Sequence, residues 1–448
     1  MSDKSIMDTS NGMTKAFSFT AHHTLPVRSH PVLDAYISEL IPRLSGNVHS
    51  DYHLHEEALR LPLDPDILAQ VKKMAKHFAT SRLKYVIVIG IGGSNLGTKA
   101  VYDALNGSYD LALPRLPKLL FIDTLSGNTI AELNDILAPV EHAQDMLINL
   151  ISKSGTTVES IANFELIYQM LEKRFPNIAS RVVCTTDRGS ALWEIGEQRG
   201  FGLLQIPAIV GGRYSVFSAV GVFPLFLAGV GMEEFQKGAS HMLQSAFSED
   251  REKNFARNSA EELFAAMNEG CSMLNIFHFN PELESLGKWE RQLIAESLGK
   301  EKDLDGRVVH AGITPIVSIG STDLHSMAQL YLGGPKDKFT MLIRAEEKTG
   351  ERITAKGILS PLGVEMAGKG PSEIMEAIYG GVLATYKEHG LPSLEVRLPP
   401  VSPYVLGAYM EWRMAVVLYL AKLMNVDPFD QPNVEDYKKV TRAILTKN

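Results

Sequence analysis

Two stretches of the chain end an apolar run in residues suited to holding an anion. The first is VIVIGIGGSNLGTKA at 86–100, where the run passes into a glycine-rich turn and then into a helix-length segment. Glycines let the backbone adopt positive φ and approach a ligand closely, and a helix start offers free N–H groups and the positive end of its dipole. Two rival readings fail on spacing. A dinucleotide fingerprint, GxGxxG, read from Gly90 finds Asn95 in its sixth position, and a P-loop read from Gly92 to Gly97 finds Thr98 and Lys99 in the wrong order. A tight strand-to-helix turn without a ligand remains the plainer alternative. The second stretch, LINLISKSGTTVES at 147–160, places Ser152, Ser154, Thr156 and Thr157 within six positions. Capping a helix needs one hydroxyl, whereas four can meet the several acceptor oxygens of a phosphate. The pair points to a phosphorylated small molecule at the C-terminal ends of parallel strands. A third polar cluster, HLHEE at 53–57, resembles a metal site in composition but has no identifiable distant partner, and reads as a polar segment.

These loops need a scaffold. KYVIVIG (84–90), KLLFIDT (118–124), MLINLIS (146–152), RVVCTTD (181–187) and GLLQIPA (202–208) are short apolar runs with helix-length segments between most of them. Near-continuous apolar strands imply burial on both faces, hence a parallel sheet covered by helices. The pattern recurs in MLNIFHF (273–279), TPIVSIG (314–320), FTMLIRA (339–345) and LEVRLPP (394–400). The expected fold class is therefore α/β, with two doubly wound parallel-sheet domains, an N-terminal arm and a helical C-terminal segment. The expected division is 1–60 for the arm, 61–213 and 214–404 for the two α/β domains, and 405–448 for the C-terminal segment that completes the site.

Composition narrows the function classes. The 448 residues carry a formal net charge of -8, which gives no electrostatic reason for a nucleic-acid partner or an anionic membrane surface. Two cysteines, Cys184 and Cys271, form no CxxC pair and suit a reducing compartment. The N-terminus lacks the apolar core of a secretory signal, so a cytoplasmic location is expected. Tyr214 to Met232 is an uncharged stretch of spanning length. Its Pro224, serines and glycines favour a buried core helix instead.

The chain resembles the phosphoglucose isomerase family within the wider sugar-isomerase (SIS) fold group. IGIGGSNLG, SKSGTT, AIVGGRYSVFSAVG (208–221), ESLGK (296–300), LHSMAQ (324–329) and FDQPNVEDYK (429–438) occur in the family's order, and the length and the SKSG and FDQP spellings look like its compact bacterial branch. One departure is Asn433, which stands where the family signature has glycine. If that position needs a left-handed backbone, asparagine is the best-tolerated substitute.

The resemblance implies an aldose–ketose isomerase that uses acid–base chemistry, with no metal and no organic cofactor. It implies Glu296 as the base moving a proton between C2 and C1, and Arg213 as the cation that stabilises the enediolate oxygen. His325 and Lys438 would assist ring opening, His325 reaching across the interface of a homodimer. Gln292 and Gln431 match positions that line the substrate or order its water. Gly93, Ser94, Ser152, Lys153, Ser154, Thr157 and Gly212 match substrate-binding positions, with Lys153 acting largely through its backbone N–H. Without the resemblance, Glu296 and Lys438 read as surface helix residues, Arg213 as a salt-bridge partner and His325 as a structural histidine. Two alternatives stay open: a non-catalytic phosphosugar sensor of the same fold group, and an isomerase that also accepts mannose 6-phosphate.

Overall fold

The computed structural model describes residues 4–6, 17–22, 25, 28–44, 52–347, 350–354, 357–359, 362 and 366–446. The N-terminal arm expected over 1–60 therefore falls partly outside the described residues.

All five apolar runs of the first series form strands of one parallel sheet. Its spatial order is Lys118–Ile122, Tyr85–Ile89, Met146–Ile151, Val182–Asp187 and Gly202–Ile206. All six residues of Met146–Ile151 are buried, as a strand covered on both faces requires. The four later runs form the parallel part of a second sheet, ordered Ser393–Leu398, Lys338–Ala345, Met273–His278 and Thr314–Ile319. Counted along the chain, both sheets place their first strand between the second and the third. That arrangement creates a switch point where successive crossovers leave in opposite directions, opening a crevice at the carboxyl ends of the strands.

The second sheet is extended by a strand that the sequence pattern does not announce. Phe17–His22 pairs antiparallel with Ser393–Leu398, and Lys4–Ile6 pairs antiparallel with it in turn.

The stretch from Tyr214 to Met232 forms a short 3₁₀ turn and the helix Ala219–Leu227, almost wholly buried. That helix packs on Pro65–Ala75 and Leu96–Asn106, on the side of the first sheet. Among the described residues no helix is long and apolar enough to cross a membrane. The 22-residue helix Pro403–Met424 is buried from Val405 to Ala421, and a membrane span is further contradicted by Glu411 and Arg413 inside it. It lies against Met232–Ala246 so closely that a Cβ on Gly238 would meet the carbonyl oxygen of Tyr404 at 1.9 Å, and one on Gly407 that of Phe235 at 2.0 Å.

One helix joins the two halves. Glu284–Leu298 packs on Leu96–Asn106 from the first sheet and on strand Thr314–Ile319 from the second. A buried ion pair fixes it to the long C-terminal helix: Arg413 Nε lies 2.7 Å from Glu290 Oε1, and Tyr409 donates its hydroxyl to Glu290 Oε2 at 2.6 Å. Glu296 sits near the C-terminal end of this same helix.

Candidate functional site

Both candidate loops leave the first sheet at its switch point. Strand Tyr85–Ile89 runs into the glycine-rich turn and strand Met146–Ile151 into SKSGTT, and these two strands are direct neighbours. A Cβ on Gly90 would lie 3.1 Å from Ile151 O, so the loop starts touch.

In the glycine-rich turn, Gly92 has φ +59°, and a Cβ there would meet the side-chain nitrogen of Gln292 at 2.9 Å. Gly93 is pressed against Gly212, and Ser215 Oγ donates to the carbonyls of both, at 3.3 Å and 2.7 Å. Ser94 closes the turn with its N–H donated to Ile91 O. The turn thus serves as a socket for the GGR segment as well as a helix entry.

In the second loop, Ser152 donates to Thr157 Oγ1 at 3.3 Å, and the Ser154 and Thr156 hydroxyls are 3.0 Å apart. The hydroxyls pair among themselves, and Thr157 makes no side-chain cap to the 15-residue helix Val158–Glu172. The N–H groups of its first turn are therefore left facing the loop, which suits an anion. Lys153 presents its carbonyl to Thr186 Oγ1 and Asp187 N–H, at 3.2 Å and 3.3 Å. Burial lowers the pKa of its ammonium, partly offset by Asp187.

The candidate reactive groups, Arg213 and Glu296, meet near the C-terminal end of Glu284–Leu298. Arg213 is buried with 3% exposure. Its Nε donates to Ser297 Oγ at 2.8 Å; Nη1 donates to Glu296 Oε2 at 3.3 Å and to Gln431 Oε1 at 3.2 Å; Nη2 donates to the carbonyls of Pro428 and Asp430. Gln292, one turn before Glu296, donates to Glu296 Oε1 at 3.0 Å. Each oxygen of the Glu296 carboxylate therefore has its own donor, which fixes the plane of the group while its side chain stays 33% exposed. Tyr214 supports this from behind, its hydroxyl 3.0 Å from Ser297 Oγ.

The structure thus gathers Gly93, Gly212, Arg213, Gln292, Glu296 and Gln431 into one contact network, with the SKSGTT loop beside it. It does not bring His325 or Lys438 into that network within this chain. His325 is exposed on the short helix Thr322–Ser326, beyond the end of strand Thr314–Ile319. Lys438 lies on Val434–Leu445, a helix with no buried residue, and its Nζ pairs with Glu435 at 2.8 Å. Asn433 has φ −68° and ψ −23°. The position is right-handed, so the substitution of asparagine for glycine carries no left-handed strain here, and its Nδ2 donates to Glu301 at 3.0 Å.

Several contributors sit inside the quoted motifs without being assigned a role there. Ser297 and Tyr214 hold Arg213, and Lys300 holds the end of the Glu296 helix. HLHEE also has a part: the Glu57 carboxylate accepts the N–H groups of His53 and Leu54, and His55 Nδ1 contacts Ile209 O at 2.8 Å. The His55 ring stacks on Phe429 at 5.2 Å, and Phe429 lies 5.4 Å from the Tyr214 ring. Tyr214, Ser297, Lys300 and Phe429 belong to the GGRYS, ESLGK and FDQ motifs, and that membership is the signal that points to them. Among the described residues no group of three or more His, Cys, Asp or Glu side chains is arranged to hold a metal ion.

Residues 67–448 match the family model described as phosphoglucose isomerase. The chain belongs to the phosphoglucose isomerase family. Among its relatives, the glucose-6-phosphate isomerase of Bacillus cereus (strain AH187) is 31% identical over 449 residues, covering 97% of this chain and 95% of the relative. The crystal structure of a hypothetical protein from Thermus thermophilus has a TM-score of 0.78 at 28% identity and covers 94% of this chain and 99% of its own. The fold is shared with the crystal structure of a glucose-6-phosphate isomerase from Chlamydia trachomatis, with a TM-score of 0.77 at 20% identity over 96% of this chain and 88% of the other.

Proposed function

We propose that this member of the family interconverts glucose 6-phosphate and fructose 6-phosphate by ring opening and proton transfer through an enediolate. The observation that carries the reading is the pairing of Glu296 and Arg213. A carboxylate oriented on both oxygens lies 3.3 Å from a buried guanidinium, beside two loops suited to phosphate.

The chemistry follows from those positions. With the phosphate on the 152–157 loop and the first turn of Val158–Glu172, the open-chain sugar extends towards Glu296. Glu296 takes the C2 proton and returns it to C1. Charge develops on the sugar oxygens during this transfer, and a fixed, always-charged guanidinium lowers its energy without reorganising. Gln292 and Gln431 orient Glu296 and Arg213 respectively. His325 and Lys438 serve ring opening, and both require a partner or a movement to reach the site. The reading therefore includes a homodimer in which His325 acts in the other subunit's site, a cytoplasmic location, and the division into arm, two α/β domains and C-terminal segment set out above.

The test is a coupled assay on purified protein with chelator present. Fructose 6-phosphate is supplied, and glucose 6-phosphate is read by a dehydrogenase that reduces NADP. Glu296→Gln is expected to keep phosphosugar affinity and lose most turnover. A folded wild-type protein that binds phosphosugar without turning it over would support the sensor alternative and overturn the proposal.

A further inference from the structure

We propose that Lys300 is a positioning residue that couples the Glu296 helix to the strap 428–431 and so sets where Gln431 and the helix bearing Lys438 begin; this rests on the activity proposed above.

Lys300 comes one residue after the Glu296 helix, past its C-cap Gly299, and is only 6% exposed. None of the chemical steps uses it. Its Nζ donates to Glu296 O at 3.0 Å, donates also to Asp430 O, and forms an ion pair with Asp430 Oδ1 at 2.8 Å. Its charge sits at the C-terminal end of a helix, where the dipole favours a cation. The Asp430 carbonyl also accepts from Arg213 Nη2 at 3.3 Å, so two buried cations converge on one peptide oxygen.

That convergence links two parts of the site. Lys300 holds the peptide of Glu296 on one side and the strap on the other. The next residue of the strap, Gln431, gives its Oε1 to Arg213. Beyond the strap the chain enters Val434–Leu445, which buries none of its residues. Its described tie to the body near this end is the Asn433–Glu301 hydrogen bond, between two exposed side chains. The position of Lys438 is therefore set chiefly by the strap, and the strap by Lys300 and Arg213. A site whose parts move by about 1 Å can lose about 10²-fold in rate without losing its reacting groups.

The experiment compares Lys300→Met and Lys300→Arg with wild type on fructose 6-phosphate. It also measures the affinity for sorbitol 6-phosphate, which has no carbonyl to isomerise, and the rate of tryptic cleavage at Lys438, Lys439 and Arg442. Lys300→Met is expected to lower kcat by about 10²-fold, with KM and sorbitol 6-phosphate affinity within about threefold, because the phosphate loops lie on other elements. Tryptic cleavage should accelerate, and Lys300→Arg, which keeps the charge and the donors, should recover most of kcat. Lys300→Met at wild-type kcat would overturn the proposal. So would parallel loss of kcat and sorbitol 6-phosphate affinity without rescue by arginine, the pattern of a purely structural lysine. Wild-type turnover decides the activity beforehand, so failure of the activity reading and failure of the Lys300 role are separately visible.

Discussion

Gly93 and Gly212 meet backbone to backbone: a Cβ on Gly93 would lie 2.1 Å from the carbonyl carbon of Gly212 and 2.6 Å from the amide nitrogen of Arg213. Neither atom can yield by a rotamer change, because both are main chain. Gly93→Ala is expected to push the GGR segment away and move Arg213 off Glu296. The stability loss should be about 1–3 kcal/mol, the usual result of overpacking, with a larger proportional loss of kcat. Gly127→Ala provides the contrast, since nothing lies within 4 Å of the added methyl. Urea midpoints and turnover measured on both variants check this, and equal behaviour of the two would contradict the close contact.

Arg213 offers five separate donations, to Ser297, Glu296, Gln431, Pro428 and Asp430. A lysine has three donors on a single atom and cannot reach this spread. Arg213→Lys is expected to lower kcat by about 10²–10³-fold, the scale seen when one preorganised donor to a developing oxyanion is lost. Near wild-type turnover in a folded Arg213→Lys protein would show that charge alone suffices and that the five-donor geometry is not required.

The two sheets were legible because their strands are continuous apolar runs bounded by turn residues; MLINLIS gave Met146–Ile151 directly. Strand Phe17–His22 was not, because it is an antiparallel addition whose partner, Ser393–Leu398, lies at the far end of the chain. Within the site, Arg213, Gln292, Glu296 and Gln431 were legible as members of motifs, and the structure joins them. The carbonyls of Pro428 and Asp430 were not, since a main-chain acceptor leaves no mark in residue type. The stack of His55 on Phe429 was hidden for a related reason. The polar look of HLHEE suggests a ligand set, whereas its ring serves as a flat packing surface.

His278 should make stability depend on pH. It is fully buried at the end of strand Met273–His278, and neither ring nitrogen has a hydrogen-bond partner among the described residues. Burial, with the nearby Arg413 charge adding to it, lowers its pKa from 6.5 to about 3. The native protein therefore refuses a proton that the unfolded chain accepts below about pH 6.5, and stability falls as pH drops from there towards 3. Between pH 7.5 and pH 5 the loss from this group should be about 2 kcal/mol. Replacing the ring by asparagine, His278→Asn, removes the titration. Denaturant unfolding at the two pH values should show wild type losing more than the variant, and identical losses would contradict the assignment.

The separation of His325 from the Glu296–Arg213 network gives the most direct test of a shared site. In a two-fold dimer with His325 acting in trans, each site combines Glu296 from one subunit with His325 from the other. Glu296→Gln and His325→Ala are each expected to be nearly inactive alone. Unfolded together and refolded as a mixture, half of the dimers are mixed. Each mixed dimer then holds one site with both substitutions and one site with neither. Activity should return to about a quarter of the wild-type value at equal protein. If His325 acted within its own chain, every site in the mixture would carry a substitution and no activity would return. Sedimentation equilibrium on the same samples supplies the second condition, because a fully active monomer would exclude a contribution across subunits altogether.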